Sequence, residues 1–141
     1  MTFEKKPAAF DASVLVGLVA GREAVVHALR PVLDAVRDGR CSGIVSYVNV
    51  AELQYVAGKM LAHHGQSSFD ILRVARIEVK APNKLQTLLA AEANRKVADF
   101  SLGDAFAFAL ATTEEARLYT TDPAFDHPWV KDRLGLSLIR P

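Results

Sequence analysis

Short apolar runs recur along this chain, and most are followed by a stretch with helical spacing. Gly43-Ile44-Val45-Ser46, Arg76-Ile77-Glu78-Val79, Arg117-Leu118-Tyr119-Thr120 and Leu136-Ser137-Leu138-Ile139 read as strands, and Ala8-Ala9-Phe10 is a further apolar run that stops at Asp11. Strands this short and this apolar are buried on both faces. When such strands alternate with helices, the stable solution is a parallel sheet covered by helices on each side. The expected fold class is therefore α/β, a three-layer α/β/α arrangement around a mostly parallel central sheet. A length of 141 residues suits a single domain, 1–141, with its core over about 8–139.

The helical stretches carry their own signals. Val14 to Ala20 is almost wholly apolar, which predicts a helix buried on most sides, interrupted at Gly21. From Arg22 to Asp38 the apolar residues Val25, Val26, Leu29, Val32, Leu33 and Val36 keep helical spacing. Pro31 within that pattern lacks a donor and crowds the preceding turn, so a kink or two shorter helices are expected. Asn49-Val50-Ala51-Glu52 has capping-box spacing and opens a helix running to His64, with Gly65 beyond it. Phe69 to Val74, Leu85 to Val97 and Leu102 to Glu115 complete the set, the last capped by Ser101.

In sheets of this kind, ligands bind beyond the carboxyl ends of the strands. Asp11, Glu52, Asp104 and Asp122 all stand near such junctions or in first helical turns. Each has a plain structural reading. Asp11 helps cap the helix from Ser13, Glu52 closes the Asn49 box, Asp104 closes the Ser101 box, and Asp122 caps a turn begun by Pro123. The surroundings favour more. Glu52 is bracketed by Val50, Ala51 and Leu53, and Asp104 lies among Leu102, Ala105 and Phe106. Carboxylates in apolar company are seldom buried without a partner or a metal. An oxygen-only set that converged would suit Mg²⁺ or Mn²⁺ rather than zinc.

The order Phe10-Asp11-Ala12-Ser13, Val50-Ala51-Glu52-Leu53, Ser101-Leu102-Gly103-Asp104-Ala105 and Thr120-Thr121-Asp122-Pro123-Ala124-Phe125 resembles a PIN domain, most closely the VapC-type toxins of toxin–antitoxin pairs. The resemblance covers about Ala8 to Ile139. It implies a PIN-like α/β/α ribonuclease fold whose metal site is made by Asp11, Glu52, Asp104 and Asp122, with Mg²⁺ or Mn²⁺ as cofactor. Ser13 matches a small hydroxyl residue that supports the first acid. An RNA substrate, a VapB-like antitoxin partner and a homodimer are implied as well. The chain runs longer before its first acid than most short toxins do, and Ala12 stands where Thr is frequent.

Composition narrows the rest. Lys and Arg number 17 against 16 Asp and Glu, a net charge of +1, so bulk charge alone does not hold this chain on nucleic acid. Lys59, Arg73, Arg76, Arg95 and Lys96 are candidate phosphate contacts, and Tyr47 and Tyr55 candidate stacking residues. The single cysteine, Cys41, excludes a disulfide framework. No apolar run reaches the roughly 20 residues of a membrane span. The opening residues lack the apolar stretch of a secretory signal, and the expected location is cytoplasmic. His63-His64 and His127 read as solvated residues, while Phe125 and Trp129 read as packing for the last strand. The helices Val14–Ala20 and Leu102–Leu110 are more apolar than exposed helices of a small monomer, which predicts a homodimer that buries part of these or neighbouring helices.

Other acidic Mg²⁺ sites fit less well. A receiver-like domain wants paired acids after its first strand, and a haloacid-dehalogenase-type phosphatase wants two aspartates flanking one residue. Asp11-Ala12-Ser13 supplies neither. The reading is a metal-dependent endoribonuclease, with a catalytically inactive PIN-fold binding module as the alternative.

Overall fold

The computed structural model describes residues 6–140. Five parallel strands form one sheet: β1 (Ala8–Phe10), β2 (Gly43–Ser46), β3 (Ile77–Lys80), β4 (Arg117–Thr120) and β5 (Leu136–Leu138), in the order β3-β2-β1-β4-β5. The helices are α1 (Ala12–Val19), α2 (Glu23–Arg37), α3 (Tyr47–His63), α4 (Ser68–Val74), α5 (Lys84–Lys96), α6 (Leu102–Thr113) and α7 (Pro128–Lys131), with a 3-10 turn at Pro123–Phe125. No single helix among the described residues is long and apolar enough to cross a membrane.

Side chains alternate across the strands and build two cores. Ala9, Ile44 and Leu118 meet Ala90, Ala93, Phe108 and Leu110 of α5 and α6 on one face. Ala8, Phe10 and Val45 meet Leu15, Leu29, Leu53 and Leu72 of α1 to α4 on the other. Fully burying a side chain of this size contributes about 1.5–3 kcal/mol, so both layers are held by their apolar faces. Phe125 packs on Phe100 (ring centroids 4.6 Å apart) and Trp129 on Phe108 (4.9 Å), which ties the C-terminal segment to α6 as well as to the sheet.

Two expectations are corrected. First, α2 runs through Pro31 as one helix and not as two shorter ones. Pro31 and His27 are both exposed, so the carbonyl that Pro31 cannot serve is open to water and the break is tolerated. Second, α3 starts at Tyr47 and is capped by Ser46, whose Oγ accepts from Val48 N at 3.2 Å, so Asn49 and Glu52 are not a capping box. The apolar helices named for self-association bury most of their apolar side chains within the chain. Val14, Leu15 and nearly all of Ala105 to Ala111 are buried within the chain. Exposed apolar side chains lie on α3 and α4, at Tyr55, Val56, Met60, Phe69 and Val74, and also on α5 and α6, at Leu85, Leu88 and Leu102.

Connectivity fixes where a site forms. From β1 the chain moves outward to β2 and β3, then returns across the sheet to β4 and β5. The carboxyl ends of β1 and β4 thus flank a switch point, where neighbouring connections leave in opposite directions and open a crevice.

Candidate active site

Asp11 leaves β1 at that crevice, and its side chain makes no cap bond to α1. It is only 2% exposed, and its Oδ2 accepts from Ser13 Oγ at 2.8 Å and from Thr120 Oγ1 at 2.8 Å. Thr120, the last residue of β4, is fully buried, and its Oγ1 also accepts from Asp122 N at 3.0 Å. Ser13 Oγ accepts from Thr121 N at 3.1 Å. These four bonds join the ends of β1 and β4 and fix the orientation of the carboxylate. Ser13 therefore supports Asp11, and Thr120 does too, although a threonine ending a short strand reads from sequence only as a strand former.

Glu52 lies in the second turn of α3, directly after β2. Asn49 Nδ2 donates to Glu52 Oε1 at 3.2 Å and to the Gly103 carbonyl at 3.0 Å, so one fully buried amide holds the carboxylate and ties α3 to α6. Gly103 has a second role: a Cβ there would overlap the Glu52 carboxylate. The missing side chain is the space into which Glu52 fits.

Asp104 arrives from the opposite direction, on the first turn of α6. Ser101 N donates to Asp104 Oδ2 at 3.0 Å, and Ser101 Oγ accepts from Asp104 N at 3.1 Å, so its capping box is real. That does not empty the site reading, because the same carboxylate is 6% exposed and lines the cleft. Asp122 caps the 3-10 turn through Oδ1, which accepts from Ala124 N at 2.9 Å.

Asp11, Glu52, Asp104 and Asp122 share one cleft of about 500 Å³ with Ser13, Arg22 and Asp99. Their electrostatics show the strain of that gathering. Burial is the main force raising the Asp11 carboxyl above its usual range, with the charge of Asp122 adding to it and the Ser13 and Thr120 bonds opposing it. Glu52 is raised by burial and by the charge of Asp11. Asp104 is pushed up to about 7 by burial and by the charges of Asp11 and Asp122, against the Ser101 amide bond. Carboxylates in this state gain from a cation that replaces their protons.

The donor set fits a hard divalent cation. Among the described residues, no three Asp, Glu, His or Cys side chains converge tightly enough to form a finished cage. Mg²⁺ does not need one, because it retains several waters and is commonly held by one or two carboxylates. No histidine or cysteine lines the cleft. His127 accepts from Trp129 N through Nδ1 at 3.1 Å and caps α7, His63 and His64 are exposed at the end of α3, and Cys41 donates to the Lys6 and Ser42 carbonyls.

The basic residues picked from sequence do not line the cleft. Lys59, Arg73, Arg76, Arg95 and Lys96 are all absent from its wall, and Arg73 pairs with Asp70 at 3.3 Å. Tyr47 packs on Phe69, while Tyr55 is 91% exposed on α3. The cation in the wall is Arg22, and Asp99 is a further acid; neither stands out in the sequence.

Residues 8–128 match the PIN domain family. No curated protein is a match. Among solved structures, the chain is similar to VapBC2 from Rickettsia felis bound to a DNA fragment from their promoter (19% identity, 94% of this chain and 98% of that one, TM-score 0.68). It is similar too to a toxin–antitoxin complex from Klebsiella pneumoniae (17%, 87% and 93%, TM-score 0.65) and to FitAcB from Neisseria gonorrhoeae (19%, 92% and 95%, TM-score 0.64). At these identities the likeness shows the fold.

Proposed function

The chain belongs to the PIN domain family, and from that membership we propose that it is a metal-dependent endoribonuclease, the VapC-type toxin of a toxin–antitoxin pair. One observation carries the reading. Each of the four cleft carboxylates has one oxygen anchored by a donor of the protein: Asp11 through Oδ2, Glu52 through Oε1, Asp104 through Oδ2 and Asp122 through Oδ1. Carboxylates that served only as caps or core ion pairs would not be held this way around a common opening. The arrangement suits ligands that must stay oriented while their second oxygen binds something else.

Asp11, Glu52, Asp104 and Asp122 would hold Mg²⁺ or Mn²⁺, which supplies a water of lowered pKa and a counter-charge for the phosphate. The protein's share is positional. Ser13 and Thr120 fix Asp11, Asn49 fixes Glu52, and Ser101 fixes Asp104, so the ligand oxygens do not have to be ordered during the reaction. With no histidine in the cleft, proton transfers fall to water and to the carboxylates themselves.

The structural neighbours are toxin–antitoxin complexes, which supports a small protein antitoxin as partner. The exposed apolar residues of α3 and α4 are a surface for such a protein or for a second copy of this chain, and light scattering distinguishes the dimer from a 15.3 kDa species. A cytoplasmic location goes with this reading.

The test is cleavage of single-stranded RNA by the purified chain in Mg²⁺, in Mn²⁺ and in a chelator. Cleavage is expected with either metal, not with the chelator, and is expected to fall by orders of magnitude in Asp11→Asn and Asp122→Asn. Cleavage that ignores the chelator, or survives both substitutions, would overturn the reading.

A further inference from the structure

An acidic cleft that acts on a polyanion needs positive charge at its mouth, and Arg22 is the cation in this cleft's wall. Its position is not explained by local structure. Gly21, at φ +70°, turns the chain between α1 and α2, which meet at 108°, and Arg22 then occupies the N-cap of α2. Its side chain makes no cap bond there. Ser, Thr, Asp or Asn would stabilise that helix start better than arginine does. Nor is Arg22 neutralised: among the described residues it forms no ion pair, although five carboxylates share the cleft.

A second depression, of about 240 Å³, begins at the neighbouring Gly21 and follows α2 past Val26 and His27 to Arg30. Arg30 is exposed and likewise forms no ion pair among the described residues, whereas Arg37, farther along the helix, is taken by Asp34 at 3.1 Å. Glu23 is the acid of this depression, and it sits in the first turn, where the helix dipole favours it. Arg22 and Arg30 are separated by about 12 Å along the helix axis, the reach of a few nucleotides.

We infer that single-stranded RNA leaves the carboxylate cleft across the α1–α2 turn and runs along the exposed face of α2, its phosphates held by Arg22 at the cleft mouth and by Arg30 beyond. The inference rests on the ribonuclease reading. Arginine suits the task, since its planar fork takes two phosphate oxygens at once. Such contacts position the strand without reading its bases, so they affect all sequences alike.

The experiment measures binding of a fluorescent single-stranded RNA by anisotropy, at several salt concentrations, for the full chain and for Arg22→Gln, Arg30→Gln and a Lys84→Gln control. Lys84 is exposed at the start of α5, where Gln86 bonds Thr113 at the end of α6 opposite Asp104. Arg22→Gln is expected to weaken binding about tenfold, Arg30→Gln several-fold, and each to lower the slope of log K against log salt by about 0.7. Lys84→Gln should match the parent. In steady-state cleavage, Arg30→Gln should raise KM and leave kcat unchanged, which a folding defect would not do. If the parent binds and cleaves RNA but both arginine variants keep its affinity and salt slope, the path is wrong and the ribonuclease reading stands. If the parent neither binds nor cleaves RNA, both fail.

Discussion

Replacing Asp104 by asparagine separates a carboxylate kept for a helix cap from one kept for a metal. The asparagine carbonyl oxygen can still accept from Ser101 N, so the cap geometry survives and only the charge is lost. In the parent, Asp104 is pushed up to about 7 from 3.8, with burial the first cause and the charges of Asp11 and Asp122 adding to it. An acid raised on folding favours the native state when protonated. That contribution is full below about pH 4 and is lost as pH climbs to about 7. At roughly 1.4 kcal/mol per tenfold, the displacement sets a ceiling of about 4 kcal/mol on the loss. Asparagine is also a buried polar group, and Asp122 shares the repulsion, so about 1–2 kcal/mol should be recovered. For a chain this size that raises Tm at pH 8 in chelator by about 3–6 °C. The assay is thermal unfolding of parent and variant at pH 5 and pH 8, repeated with Mn²⁺. The variant should gain at pH 8, gain little at pH 5, and lose most of the stabilisation that Mn²⁺ gives the parent. A variant less stable than the parent at pH 8, with RNA cleavage intact, would refute the reasoning and leave Asp104 as a cap.

Gly103→Ala places a methyl group where the Glu52 carboxylate lies, so cleavage should fall more than tenfold while the circular dichroism spectrum stays that of the parent. Thr120→Val keeps shape but removes the donor to Asp11 and the acceptor for Asp122 N; unfolding in urea should show a loss of about 1–3 kcal/mol, with cleavage reduced. His127→Ala should cost about 1 kcal/mol through the lost α7 cap and leave the pH profile of cleavage unchanged, which would not hold if an imidazole took part.

Much of this architecture is legible in the amino-acid order because the strands are short and apolar, the central pair β1 and β2 being wholly buried. Gly43–Ser46 and Arg117–Thr120 are bounded as their apolar runs suggest. Glu52 and Asp104 stand out because each breaks an apolar frame, and Asp11 and Asp122 because they follow the ends of strands. What is not legible is the reason each one is fixed. Asn49 and Glu52 have the spacing of a capping box, yet Ser46 takes the cap and frees Asn49 to bridge Glu52 to Gly103, a residue 54 positions away. Thr120 reads as a strand former until the fold sets it against Asp11. Arg22 is inconspicuous because its position matters only once Gly21 has turned the chain across the cleft. Pro31 misleads for a related reason: its penalty depends on whether His27 is open to water, which the fold decides.

The bonds that fix Asp11 run to Thr120, 109 residues later, and from Thr121 to Ser13, 108 residues apart. During synthesis, at about 5–20 residues per second, Asp11 emerges several seconds before the strand that orients it. Until β4 pairs with β1, Ser13 is the one hydroxyl donor Asp11 has, and Asp122 has not reached the cleft. A chain that carries Asp11, Glu52 and even Asp104 but not yet β4 thus lacks both the Thr120 donor and the fourth acid of the cleft.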